Sequence, residues 1–292
     1  MGTSWKVRLA LPSGVTIEPV RGAIDARLTL IVDQMSHWQP GSVLDRFNRS
    51  AAGSTTSLPP AFAAVITAAL DIAARSDGAF DPSLGALVDR WGFGPAPIQA
   101  PPGDAEVAHL RNLSGWKRLA FDEATGQLRQ PGGLRLDLSG IAKGHAVDAI
   151  AAVLTDHGFR HFLVEIGGEL AGRGIRPDGQ PWWVALEVPP AVALPPLRVA
   201  LHEIAVATSG DYIRGRHTID PASGYPVANG VTSVSVIHSA AMVADAWASA
   251  LTVLGAERGM EIATRENLAV RMIVQADDGM REVLTPALIE MM

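Results

Sequence analysis

Asp245 and Ser249 stand four residues apart in ADAWASALTVLG (244–255), so on a helix a carboxylate and a hydroxyl leave one face of an apolar stretch. Oxygen ligands of this kind suit Mg2+, which takes one or two carboxylates together with substrate phosphates. The competing reading is an exposed Asp and a Ser bonded back to its own helix. His217 opens HTIDPASGYPV (217–227), where Pro221, Gly224 and Pro226 force a fixed, non-helical loop. Imidazole is the natural general base near neutral pH, and Asp220 is placed to orient the ring; otherwise His217 is an ordinary polar residue beside a turn. In LDLSGIAKGH (136–145) a β-run ends in Asp137, turns at Ser139-Gly140 and starts a helix. The N–H groups at that start attract a pyrophosphate or another anion. The plainer alternative is that Ser139 caps the helix and Asp137 supports the turn. GAFDP (78–82) and WGFG (91–94) set aromatics beside glycines, either a wall for a flat ring system or plain core. VEIGGE (164–169) reads as a strand ending in a tight Gly-Gly turn.

The elements that must carry these segments follow from periodicity. Residues 5–10 alternate as a half-buried strand, and 21–35 place Ile24, Leu28, Ile31, Val32 and Met35 on one helical face. An Ala-rich helix is predicted over 61–75. The four prolines of 94–103 mark a surface loop. Strands are predicted over 117–121, 134–138, 161–166, 182–188, 197–201, 231–237 and 268–275, and helices over 141–156, 240–254 and 256–264. Strands gather in the second half without strict helix alternation, which favours an α+β fold over a doubly wound parallel sheet.

Composition narrows the function classes. Hydrophobic residues are 48% and charged residues 18% of the chain, a balance that builds a core rather than a disordered polymer. The formal net charge is −6 and Lys and Arg are scattered, so a nucleic-acid footprint is not expected. There is no cysteine, which removes disulfides, Cys-ligated zinc, iron–sulfur clusters and thiol nucleophiles. The longest apolar runs, such as AFAAVITAAL (61–70), fall short of a transmembrane span. MGTSWKVRLALP lacks a signal-peptide pattern, so the expected location is cytoplasmic, or periplasmic if an export leader was removed. Walker, dinucleotide-binding, HExxH and GxSxG motifs are missing.

Taken in order, the segments resemble the ApbE family of FAD:protein FMN transferases along nearly the whole chain. MGTSWKV, MSHWQPGSVLDRFN (35–48), GAFDPSLGALVDRWGFG (78–94), DLSGIAKGHAVD (137–148), VEIGGE, TSGDYIRG (208–215), HTIDPASGYPV and ADAWASALTVLG are similar to that family's motifs. The resemblance implies one α+β domain over 1–292, of ApbE (T-fold-like) type, with mixed sheets, packed helices and a ligand cleft between the two halves. It also implies Mg2+-dependent transfer of FMN from FAD to a Thr or Ser hydroxyl of an acceptor flavoprotein, through a phosphoester, with release of AMP. Met1, Trp38, Ala79, Phe80, Asp81, Asp137, Lys143 and Val227 fall at the family's FAD contacts. Gly140 (through its carbonyl), Asp245 and Ser249 fall at its metal positions, and His217 at the histidine that activates the acceptor hydroxyl. Ser249 stands for the usual Thr and keeps the hydroxyl, while Glu169 stands for the usual Asp of the Gly-Gly-Asp turn. A flavin-trafficking protein, or an FAD pyrophosphatase releasing FMN and AMP, is the alternative reading.

Overall fold

Trp5, Val7 and Leu9 turn one way along WKVRL and Lys6 and Arg8 the other; this segment is strand β1 (Trp5–Leu9). The computed structural model describes residues 3–11, 14, 16–95, 97, 100–190, 192, 194–212, 215–277 and 279–292. After β1 come α1 (Glu18–Met35), α2 (Val43–Arg49), β2 (Thr55–Ser57), α3 (Pro60–Arg75), α4 (Gly85–Arg90) and α5 (Asp104–Leu113). The middle of the chain holds β3 (Ala120–Asp122), β4 (Gln127–Arg129), α6 (Ala142–Asp156), β5 (Phe162–Ile166), β6 (Glu169–Arg173), β7 (Trp182–Ala185) and β8 (Arg198–Leu201). The last part holds β9 (Ile204–Gly210), β10 (Val231–His238), α7 (Ala241–Leu254), α8 (Ala256–Arg265), β11 (Ala269–Ala276), β12 (Gly279–Leu284) and α9 (Pro286–Ile289). Among the described residues no helix is long and apolar enough to cross a membrane.

The chain forms two units: Leu30–Ala142 with Arg214–Ala228, and Gly2–Thr29, Lys143–Ile213 and Asn229–Met292. The second unit is built on a seven-stranded sheet in the order β1-β5-β6-β9-β10-β11-β12, with antiparallel neighbours throughout. Helix α7 lies along β9 and β10 and α8 beside β11. The hairpin β7-β8 contributes Trp182, Val199 and Leu201 to an apolar cluster with Leu163, Val206, Ile237 and Ala269 of the sheet. Covered on both faces, β10 and β11 are buried along nearly their whole length, with Ser233, Ser235 and Arg271 buried among their apolar side chains. The first unit carries the small sheet β2-β4-β3 and the helices α2 to α5. Its core near α4 and α5 joins Leu84, Leu87, Val107 and Ile219.

The sequence expectation fails at two places for a stated reason. Residues 134–138 are extended and buried at Leu134, Leu136 and Leu138 but are not a ladder strand. Their backbone groups are taken singly. The Asn48 amide donates to the Leu136 carbonyl at 2.9 Å and accepts from the Leu136 N–H at 2.7 Å. Gly85 N–H donates to the Arg135 carbonyl, and the Pro82 carbonyl accepts from Asp137 N–H, each at 2.9 Å. Over 117–121, Trp116–Arg118 is a 3-10 turn and β3 begins only at Ala120.

In the second unit α6 and α7 meet at their N-terminal ends without a side chain between them. A Cβ on Gly144 would lie 2.6 Å from the carbonyl carbon of Ala241 and 2.7 Å from the Met242 Cα. Gly144→Ala is therefore expected to destabilise the protein by roughly 1–3 kcal/mol, since backbone cannot yield as a side-chain tip does. This strain outweighs the gain of about 1 kcal/mol that Ala brings inside a helix. A urea midpoint equal to or above wild type would contradict this packing.

Candidate active site

The first unit fixes the histidine loop from several sides. The Trp91 indole N–H donates to the Gly224 carbonyl at 2.9 Å, and Arg111 Nη1 to the Ala222 carbonyl at 2.8 Å. The Tyr225 hydroxyl donates to Asp104 at 2.5 Å. Val107 packs where a Cβ on Gly224 would come within 2.8 Å, and Gly224 has φ +80°, so glycine is required there. His217 is half-buried on this loop, its ring 6.3 Å edge-on from Phe93. His217 Nδ1 lies 2.9 Å from the Gly215 carbonyl. A carbonyl can only accept, so Nδ1 carries the proton and Nε2 is the basic nitrogen. The expected Asp220 partner is not the one used. The Asp220 carboxylate accepts from the N–H groups of Ala222 (2.9 Å) and Ser223 (3.2 Å) and builds the turn instead. Val227 closes the loop by donating its N–H to the Thr218 carbonyl at 2.9 Å.

The other first-unit residues divide by what they expose. Trp38 is 58% exposed and offers a ring face, with the His37 ring 5.6 Å away. Phe80 is buried, and its N–H donates to Ser76 Oγ, so this ring belongs to the core. Ala79 is half-buried beside it. The Asp81 carboxylate accepts from the Ser83 N–H (2.8 Å), the Ser83 hydroxyl (2.6 Å) and the Trp116 N–H (3.0 Å). Burial pushes its carboxyl up, and those three donors pull it back. Asp137 accepts from the Ser139 N–H and hydroxyl at 2.8 and 3.0 Å, with His37 Nδ1 3.4 Å away. Ser139 therefore gives its hydroxyl to Asp137, an arrangement different from the helix cap expected of it. Gly140 is half-buried in the turn before α6. Met1 lies outside the described residues.

The second unit gathers charge around the start of α6. Asp245 on α7 is 5% exposed, which rules out the solvent-facing alternative, and its Oδ2 accepts from the Gly144 N–H at 2.9 Å. Ser249 follows one turn later on the same helix, half-buried. Lys143 pairs its ammonium with Glu169, whose side chain is fully buried at the start of β6. The second Glu169 oxygen, Oε2, is buried with no hydrogen-bond partner among the described residues. Burial, then the neighbouring Asp245 carboxylate, push the Glu169 carboxyl up to about 8 against the pull of Lys143. Burial also pushes Asp245 up, opposed by the Lys143 ammonium and by the Gly144 and Lys143 N–H groups. Two carboxylates face one ammonium. Such a cluster fits a divalent cation, which brings the missing positive charge and accepts oxygen ligands.

Sequence reasoning missed three contributors. Asn48 holds the strand-like run that carries Asp137; its only signal was its place at the end of MSHWQPGSVLDRFN. Helix α5, which supplies Asp104 and Arg111 to the histidine loop, lacks a clear apolar stripe, with Val107 alone buried. Asp148 on α6 accepts from the N–H groups of Ala241 and Met242, both at 2.9 Å, and so caps α7.

The chain belongs to the ApbE family, whose profile matches residues 1–273. It is similar to an FAD:protein FMN transferase of Vibrio cholerae, with 36% identity over 294 residues covering 97% of this chain and 87% of the relative. Among solved structures, the flavin transferase ApbE from Vibrio cholerae matches with a TM-score of 0.94 at 34% identity, covering 100% of this chain and 96% of that one. The apo form of the Pseudomonas stutzeri flavinyl transferase ApbE matches with a TM-score of 0.90 at 34% identity, covering 99% and 96%. The α+β fold read from the sequence is the fold of these structures.

Proposed function

We propose that the protein is an Mg2+-dependent FAD:protein FMN transferase acting as one catalytic domain. The membership of the ApbE family supports the class. The observation that carries the chemistry is His217, with Nδ1 committed to the Gly215 carbonyl and Nε2 left as the base on a clamped loop. In this reading Trp38, Ala79, Phe80, Asp81, Asp137, Lys143, Val227 and Met1 contact FAD. Phe80 and Asp81 do so from an internally bonded turn, by backbone rather than by ring or carboxylate. The acceptor Thr or Ser oxygen attacks the FMN phosphorus, its proton passes to His217 Nε2, and the bond from that phosphorus to the bridging oxygen breaks as AMP departs. Asp245, Ser249 and the Gly140 carbonyl would hold Mg2+, which supplies positive charge to the pyrophosphate when bound. Lys143 adds a compact ammonium that suits a phosphate oxygen.

The test is to incubate the protein with FAD, Mg2+ and a candidate acceptor flavoprotein and weigh the acceptor intact. A gain of one FMN less water, with AMP in equal amount, is the expected result. Free FMN and AMP with an unmodified acceptor would replace the transferase by a pyrophosphatase. FAD bound but unchanged would leave a flavin-trafficking protein.

A further inference from the structure

We propose that Glu169 is a second carboxylate of the cation site at Asp245, its Oε2 serving the cation while its Oε1 stays on Lys143. This rests on the Mg2+ reading above and adds to it a residue in which the chain departs from the pattern it resembles: Glu169 stands where that pattern has Asp. Three observations within the second unit converge. The side chain of Glu169 is fully buried, at 0% exposure, so water does not pay for its charge. Oε1 is taken by the Lys143 ammonium, and Oε2 has no hydrogen-bond partner among the described residues. Asp245 accepts from the Gly144 N–H through Oδ2, next in sequence to the Lys143 that pairs with Glu169, so both carboxylates are held on the first turn of α6. A single ammonium cannot balance two buried carboxylates, and a lone lysine holding both would be a poor match for their remaining lone pairs. A small divalent cation that binds oxygen completes both deficits at once.

The backbone is built to deliver this oxygen. Glu169 follows Gly167 (φ +60°) and Gly168 (φ +103°), a turn that begins β6, and β6 pairs with both β5 and β9. Glu169 is the first residue of β6 and pairs with Ile166 of β5, so its backbone is held by the sheet rather than left in the turn. Lys143, in the first turn of α6, holds its carboxylate from the other side.

The experiment uses MgCl2 alone, without FAD, and reads binding by calorimetry and by the rise in melting temperature on the full chain. Glu169→Gln is expected to weaken Mg2+ binding about ten-fold, because affinity for such ions follows the number of charged ligands. Asp245→Asn should abolish it. Wild-type Mg2+ affinity in Glu169→Gln, with binding lost in Asp245→Asn, would overturn this inference and leave the Mg2+ reading standing, Glu169 being then only a counter-ion for Lys143. Wild-type affinity in both variants would overturn the Mg2+ reading itself. Should Glu169→Gln fail to fold, Glu169→Asp decides: it keeps the charge and withdraws the oxygen by one methylene. Mg2+ binding must then weaken several-fold for the proposal to stand, and an unchanged affinity overturns it.

Discussion

His217→Ala is expected to leave FAD affinity close to wild type and to slow flavin transfer by about 10²- to 10⁴-fold, the usual contribution of a positioned general base. A Thr or Ser hydroxyl is a poor nucleophile at neutral pH, so the step depends on a base at the attacking oxygen. The loop does not depend on the imidazole for its shape. It is held by Trp91 at Gly224, Arg111 at Ala222 and Asp104 at Tyr225, and internally by the Asp220 carboxylate. Removing the ring breaks the hydrogen bond to the Gly215 carbonyl and the edge-on contact with Phe93, and leaves these in place. FAD affinity and initial transfer rate are measured on the same preparation. If affinity collapses while the rate at saturating FAD stays near wild type, His217 is structural and the proposed base is wrong.

Asp245→Asn is expected to remove Mg2+-dependent transfer, a loss of at least about 10²-fold if the cation stabilises the transferring phosphate by several kcal/mol. Asn is chosen over Ala for a reason the structure supplies. Helix propensity alone favours Asp245→Ala as the cleaner probe. Yet Asp245 caps α6, and Ala would leave the buried Gly144 N–H without an acceptor, at about 1–3 kcal/mol. Asn keeps a side-chain oxygen for that N–H and deletes only the charge. Transfer rate against Mg2+ concentration, with the urea midpoint as a control, separates the two effects. A variant with wild-type rate and wild-type Mg2+ dependence would remove Asp245 from the metal site.

Much of the architecture was legible because the long elements are apolar where they must be. The helices over 142–156 and 241–254 are rich in Ala, Val and Leu and the strands over 231–238 and 269–276 in Val and Ile, and most of these side chains are buried. The short elements were not legible. Strand β4 is three residues long, and α5 buries one apolar side chain, so neither imprints a period on the sequence. The run 134–138 misled for a different reason: its β-like composition reflects burial, and its hydrogen bonds come from one asparagine, one glutamine and isolated backbone groups. At the site, spacing placed Asp245 and Ser249 on one helical turn but gave no sign that Asp245 also serves α6. Sequence proximity suggested an Asp220–His217 pair, whereas the turn absorbed that carboxylate.

The crossed helix caps bear on how this unit opens. Asp245 of α7 closes the first turn of α6, and Asp148 of α6 closes the first turn of α7, across 101 and 93 residues of sequence. Neither helix completes its own N-terminus, so fraying one strips an acceptor from the other. The amide protons of Gly144, Ala241 and Met242 should therefore exchange with solvent at a shared opening free energy, as one cooperative block rather than as two fraying ends. In refolding, protection of these three amides should arrive together and late, once the intervening hairpins have brought the two helix starts within reach.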